Sequence, residues 1–373
     1  MLKKTIVITI FSVLIGVNVL PAFAEAQLDS QPAFTLQQAV DQALAYCETL
    51  RAAELDIDRS KEVRDFTGER LSTVAGGIPM GSVPDSSYSL FLGLVQSNIN
   101  WEMAKKNLSA QQDTLVMQTY QTYNGLYQAK EKVELAESTL KNARIQYAKA
   151  QALNEAGLID KNGLEQALVA KIAAEASLNA AEQSLSDAYQ KFNQLEHLSP
   201  DARPVLSDAP KYELSTDDDL DGIVAKALSD SPSIWLAEKK VDLAQTIYDA
   251  YDFANPNRSE PSKAKEIDID KAKWSAAGTK EQMEKLVRTL YYSIKQLEHQ
   301  HDAAQQRKTV AETSLRVAKL RYQIGIVTAA DVTEAETTLA NAEDTLIDIT
   351  IRHQNLMYAL QKPWAYAGAN NNT

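Results

Sequence analysis

Two stretches of this chain, one beginning near Leu126 and the other near Ile294, lie over each other without a gap for about seventy residues at a constant offset of 168. Tyr123 falls on Tyr291, Ala136 on Ala304, Ala143 on Ala311, Gly157 on Gly325, Ala167 on Ala335, Glu175 on Glu343 and Leu178 on Leu346. A duplication this long makes the 373 residues two copies of one architecture rather than a string of unrelated domains. Whatever the unit does, it does in pairs.

The unit is helical. Leu126, Val133, Leu140 and Tyr147 recur at sevens, beside Ala129, Ala136, Ala143 and Ala150; the returning stretch repeats the pattern with Leu164, Leu178, Leu185 and Phe192 beside Ala167, Ala174, Ala181 and Ala188. A period of 3.5 implies left-handed supercoiling, and rows of alanine let backbones approach closely. A helix from Glu102 to Glu155 would run roughly 80 Å at about 1.5 Å per residue. So long a hairpin cannot bury its apolar stripes alone, and needs the other repeat or other copies of the chain.

Shorter helices precede the hairpins. One runs from Thr35 to about Ser72, and its counterpart follows Asp217, Asp218 and Asp219, acids that suit a helix N-terminus. Here the offset is 184: Leu36 matches Leu220, Val40 matches Val224, Ala43 matches Ala227, and Ala53-Glu54 matches Ala237-Glu238. The joint between first and second helix is therefore 16 residues shorter in the second copy. The first joint opens with Gly76, Gly77, Pro79, Gly81 and Pro84, and its Tyr88 to Asn100 reads as one extended segment; the second holds Pro256, Pro261 and a charged run from Lys263 to Lys273, with no strand pattern. Pro200, Pro204 and Pro210 mark the link between the copies.

Lys3 and Lys4, the apolar run Thr5 to Leu20, Pro21 and Ala22-Phe23-Ala24 read as a Sec signal peptide cleaved before Glu25. The mature chain then belongs to the cell envelope. Its formal charge moves from -12 to -14, which disfavours nucleic acid as a partner. The single Cys47 carries neither a disulfide framework nor a lipidation pattern and reads as a small buried residue. The chain thus divides into a signal peptide (1–24), a first repeat (25–198; joint 73–100), a linker (199–216), a second repeat (217–364; joint 254–278) and a disordered tail (365–373).

The hairpin tips read Gly157-Leu158-Ile159-Asp160 and Gly325-Ile326-Val327-Thr328, with Tyr322 three residues before the second glycine. These tips, the tandem hairpins and the Leu-x-x-Ala starts of the preceding helices resemble the TolC family of outer-membrane efflux proteins over nearly the whole mature chain. The resemblance implies an all-α fold, a homotrimer whose antiparallel coiled-coil hairpins close into a helical barrel. It also implies docking of the two tips on a membrane-fusion adaptor, with an inner-membrane pump or ABC transporter behind. It places Tyr322, Asp331 and Glu334 at the narrow aperture of the tube. Three features depart from the pattern: Asn162 and Gly163 stand where members often have Thr-Asp, Val327 where a gate-locking arginine can occur, and the joints hold one strand at most where the family uses four per chain. The β region is therefore short or degenerate, and an ordinary twelve-stranded pore is not expected. A coiled-coil envelope spacer that lost the pore is the alternative reading.

The remaining constellations form no site in the sequence. His299 and His301 point to different helix faces and read as solvated, His197 and His353 have no ligand partner at a useful spacing, and the triple Asp lacks the alternation of a calcium loop. No catalytic, cofactor-binding or metal-ligating set stands out, and the chain does not read as an enzyme. Trp101, Trp235, Trp274 and Trp364 sit near helix ends and read as packing residues.

Overall fold

The computed structural model describes residues 33–76, 85–214, 219–251 and 260–370. The signal peptide, Asp217, Asp218 and the prolines and glycines at 77–84 lie outside them. After the two-residue strand β1 (Ala33–Phe34) come α1 (Leu36–Tyr46), α2 (Glu48–Gly76), α3 (Asp85–Glu155) and α4 (Lys161–Leu195). Strand β2 (Val205–Leu206) lies in the link, followed by α5 (Leu220–Asp230), α6 (Pro232–Asp249), α7 (Ser262–Gln323), α8 (Ala329–Gln361) and α9 (Pro363–Asn370). The duplication is written into the boundaries. α3 and α7 end, and α4 and α8 begin, at positions 168 apart, while α1 and α5, and α2 and α6, begin 184 apart.

Local chemistry sets these limits. Thr35 opens α1 with a capping box: its hydroxyl accepts from the Gln38 amide at 3.1 Å, and its own amide donates to Gln38 Oε1 at 2.9 Å. Asp219 does the same work for α5 through the Gly222 amide at 3.0 Å. The single helix expected from Thr35 to Ser72 is in fact two, because Cys47 is extended (φ -73°, ψ 114°) between α1 and α2. Its counterpart Ser231 is extended too (φ -65°, ψ 120°), where Pro232 disfavours helical geometry for the residue before it and then takes the first helical position.

Residues 88–100, expected to be extended, are the first turns of α3. Their aliphatic residues serve a helix pair instead: a Cβ on Gly68 would meet Leu94 Cδ1 at 3.7 Å, and one on Gly93 would meet Thr67 Cγ2 at 3.7 Å, so α2 and α3 approach closely. The charged run Lys263 to Lys273 is helical as well, laced by Lys263–Glu266. The tail is not disordered up to residue 370. Pro363–Asn370 forms α9, whose Ala365 is fully buried and whose Trp364 Nε1 donates to Asp113 on α3 at 2.9 Å; residues 371–373 lie outside the described set.

The core is thin and repeated. Tyr123, Leu126, Phe192, Phe34 and Ala39 form it in the first copy. In the second, Val287, Ile294, Leu360, Val224, Ala227 and Ile234 do so. Alanines 136, 150, 174, 304 and 311 are buried at the helix seams, as close-approach positions should be. The copies join where α3 lies against α8: Asn124 donates to Gln354 at 3.1 Å and to Asn355 at 2.9 Å, Gln128 donates to Asp348, and Lys141 meets Glu336 at 3.4 Å. The only strands among the described residues, β1 and β2, pair in parallel, Ala33 with Val205 and Phe34 with Leu206. Tyr123 pins them, donating to the Phe34 carbonyl at 3.1 Å and accepting from the Asp208 amide at 3.1 Å.

Candidate functional site: the paired hairpin tips

Both tips are built by the same turn. In the first, the Gly157 amide donates to the Asn154 carbonyl at 3.0 Å and the Leu158 amide to the Leu153 carbonyl at 2.8 Å; in the second, Gly325 donates to Tyr322 at 3.0 Å and Ile326 to Arg321 at 2.9 Å. This is the Schellman closure of a helix C-terminus, which needs a left-handed residue one position past the cap. Gly157 (φ 73°) and Gly325 (φ 76°) supply it, in a region where a Cβ collides with the following carbonyl. The chain then turns straight into the returning helix. Asp160 caps α4 through the Gly163 amide at 2.9 Å, and Thr328 caps α8.

What each tip presents follows from that geometry. Leu158 is 71% exposed and its counterpart Ile326 is 69% exposed, while the next pair, Ile159 and Val327, is half-buried. Ile324 and Tyr322 on the α7 side are exposed as well. A solvated turn has no physical reason to project aliphatic side chains twice at equivalent places.

Asp331 is committed to the tip itself: Oδ2 accepts from the Thr328 amide at 2.7 Å and from the Thr328 hydroxyl at 2.8 Å. The backbone amide first, then the hydroxyl and the Lys149 ammonium 4.0 Å away hold its carboxyl below the usual carboxylate range. Lys149 lies on α3 of the other copy and occupies the position matching Val317, so the repeat gives no hint of it. Glu334 is exposed on the next turn of α8. Within one chain, therefore, Asp331 caps and bridges, and Glu334 alone of the pair is open.

Among the other residues singled out in the sequence, His301, Cys47 and Trp274 differ from their reading, whereas Trp101 and Trp364 pack as expected. His301 is not solvated: its ring lies flat on Tyr212, with centroids 3.5 Å apart, and His353 sits on Tyr212's other neighbourhood at 4.7 Å. Cys47 is half-buried rather than buried. Trp101 is covered by Arg64 and Lys105 at 3.9 and 3.7 Å from its ring, Trp364 packs in the core, and Trp274 is 78% exposed. Among the described residues no group of three His, Cys, Asp or Glu could hold a metal, and no helix is long and apolar enough to cross a membrane.

Residues 257–363, essentially the second hairpin with its approach, match the family model described as outer membrane efflux protein. No curated protein matches the sequence significantly. Among solved structures, the outer-membrane channel OprN shares 16% identity at a TM-score of 0.65, over 88% of this chain and 89% of that one. CmeC of Campylobacter jejuni shares 16% at 0.64, over 90% and 86%. VceC of Vibrio cholerae shares 16% at 0.62, over 88% and 96%. Such a family is one of channels rather than enzymes. The chain has the helical-barrel fold of the TolC-like outer-membrane efflux channels, and its second repeat carries their sequence signature.

Proposed function

We propose that this chain is the channel component of a tripartite efflux or type I secretion system, exported by Sec and working at the cell outer membrane. Three copies close a helical tube through which substrate leaves, and the six tips dock on a membrane-fusion adaptor backed by an inner-membrane pump or ABC transporter. Leu158, Ile159, Ile326 and Val327 with Gly157, Asp160, Gly325 and Thr328 form the docking ring; Tyr322, Asp331 and Glu334 line its aperture.

The observation that carries the trimer is an interface present once and missing once. α3 packs on α8 through residues such as Lys141 and Glu336, but no comparable seam joins α7 and α4 among the described residues, where the counterparts 168 residues away, Thr309 and Leu168, lie. Those helices carry uncovered apolar residues instead: Val310, Val317 and Leu320 on α7, Val169 and Ile172 on α4, and Tyr292, at the position where the first repeat buries Asn124. Repeating the α3–α8 contact between neighbours covers them and closes a ring.

A Thr309→Cys/Leu168→Cys variant in a Cys47→Ser background tests this. Mild oxidation should yield a ladder ending at the covalent trimer, and analytical ultracentrifugation should give an elongated trimer. A monomer in both assays overturns the reading.

A further inference from the structure

The strap that joins the two repeats is fastened at two places of different chemistry. Its first half is held by β1 and Tyr123, with the Ser207 amide donating to Phe34 at 2.8 Å and Asp208 Oδ2 accepting from the Leu36 amide at 3.2 Å. Its second half is held by Tyr212, whose ring lies against His301 of α7 (interplanar angle 2°) and beside His353 of α8.

This second fastening is unusual in what it leaves unsatisfied. The Tyr212 hydroxyl, His301 Nδ1 and both ring nitrogens of His353 are buried without a hydrogen-bond partner. Such orphans are rare and costly. They are tolerated while both imidazoles are neutral, His301 flat against the phenol ring and His353 tilted beside it.

The charges around the cluster come from every element that meets there. α7 contributes Glu298, paired with Lys295 at 3.2 Å and 3.7 Å from His353 Nε2, and Asp302, 4.0 Å from His301. The strap contributes Lys211 and Glu213, which share a 220 Å³ cavity with His353 and with Tyr120 of α3. Burial holds both imidazoles below their ordinary range; His301 and Lys295 oppose charging of His353 further, Glu298 favours it, and Asp302 favours charging of His301.

We propose that Tyr212, stacked on His301 and tilted beside His353, is an acid-releasable latch that holds the inter-repeat strap onto the second hairpin. Protonation gives each imidazole a buried charge that Glu298 and Asp302 offset only in part, and the strap peels from Tyr212 back toward Asp208 so that water can reach them. Both histidines bind protons more readily in the open state, so opening grows as pH falls through about 6.5. Between pH 7.5 and 5 the open population can rise by at most about thirtyfold per histidine.

Hydrogen–deuterium exchange on the full mature chain reads this out, with each rate divided by its intrinsic rate at the same pH. The amides of residues 209–214 should open at least about tenfold more at pH 5 than at pH 7.5, while those of 205–208 stay constant. His301→Gln/His353→Gln should abolish the rise. Should that double variant fail to fold, His301→Gln, at the more exposed member, should still cut the rise to about its square root. Tyr212→Ala should leave the strap open equally at both pH values. A wild-type strap indifferent to acid, or a rise that survives either the histidine variants or Tyr212→Ala, overturns the latch.

Discussion

Replacing Glu196 by Gln should change how the stability of this protein depends on pH, in a direction fixed by one buried group. Glu196 closes the C-terminus of α4, its amide donating to the Phe192 carbonyl at 2.9 Å and its carbonyl accepting from Gln42 Nε2 at 2.6 Å. The side chain is fully buried and neither carboxylate oxygen has a partner, so burial pushes its pKa up from 4.5 to about 8. The folded chain thus keeps a proton that the unfolded chain releases between pH 4.5 and 8, and stability falls as pH rises across that window. At about 1.4 kcal/mol per unit the wild type loses at most about 5 kcal/mol, and local water entry reduces this toward about 2. Glutamine cannot ionise, although its buried amide costs about 1–3 kcal/mol at every pH where it lacks partners. Urea denaturation of both proteins at pH 5, 7 and 9 should therefore show the variant gaining on the wild type by about 2–4 kcal/mol between the ends of the series. The histidine contributions cancel in that difference. Parallel pH profiles would refute the reasoning, because they would mean that Glu196 is hydrated or paired when folded.

Two further outcomes follow from the ends of the hairpins. Substituting Gly157 or Gly325 by Trp puts a Cβ into the left-handed region at a cost of about 1–2 kcal/mol and a bulky ring into the proposed docking face, so crosslinking to the adaptor should be lost while circular dichroism stays helical; undiminished crosslinking in both variants counts against the tips. At the other end, α2 and α3 are 8 residues apart and α6 and α7 are 12 apart, where two bilayer-crossing strands would need about 20 residues in each joint. The chain purified without detergent should stay in solution and give no steady conductance alone in planar bilayers, and reproducible single-channel steps would disprove that.

The helical class and tandem architecture could be read from the sequence because a 168-residue offset and a seven-residue period repeat over many turns. Local exceptions could not. The break at Cys47 has a proline to announce it only in the second copy, at Pro232. Tyr88 to Asn100 is rich in residues that favour strands, yet Gly68 and Gly93 open a seat for a helix pair, and packing outweighs propensity. At the tips the glycines announced their turn, whereas the Lys149–Asp331 contact joins residues that no periodicity relates. The Tyr212 cluster was out of reach for the same reason: His301 and His353 lie on different helices and meet only through a residue of the strap.

The two copies agree in the shafts and tips and differ where the shafts end, and that difference gives each repeat a separate job. At the position where the first repeat buries Glu196, the second places Trp364, which turns the chain into α9 and anchors it on Asp113 of α3. Lys362 adds a second contact to the same carboxylate at 3.4 Å. α3 therefore carries three attachments from the other repeat: the Asn124 and Gln128 contacts along α8, the Tyr120–Tyr358 stack at 5.2 Å, and α9 beyond them. The first repeat spends its corresponding segment on the strap, whose Tyr212 lies against His301 of α7 instead of forming a terminal helix. In the proposed trimer the α3–α8 seam lies within one chain, and the α7–α4 seam falls between neighbours. A tube assembled from such units has alternating seams of unequal origin.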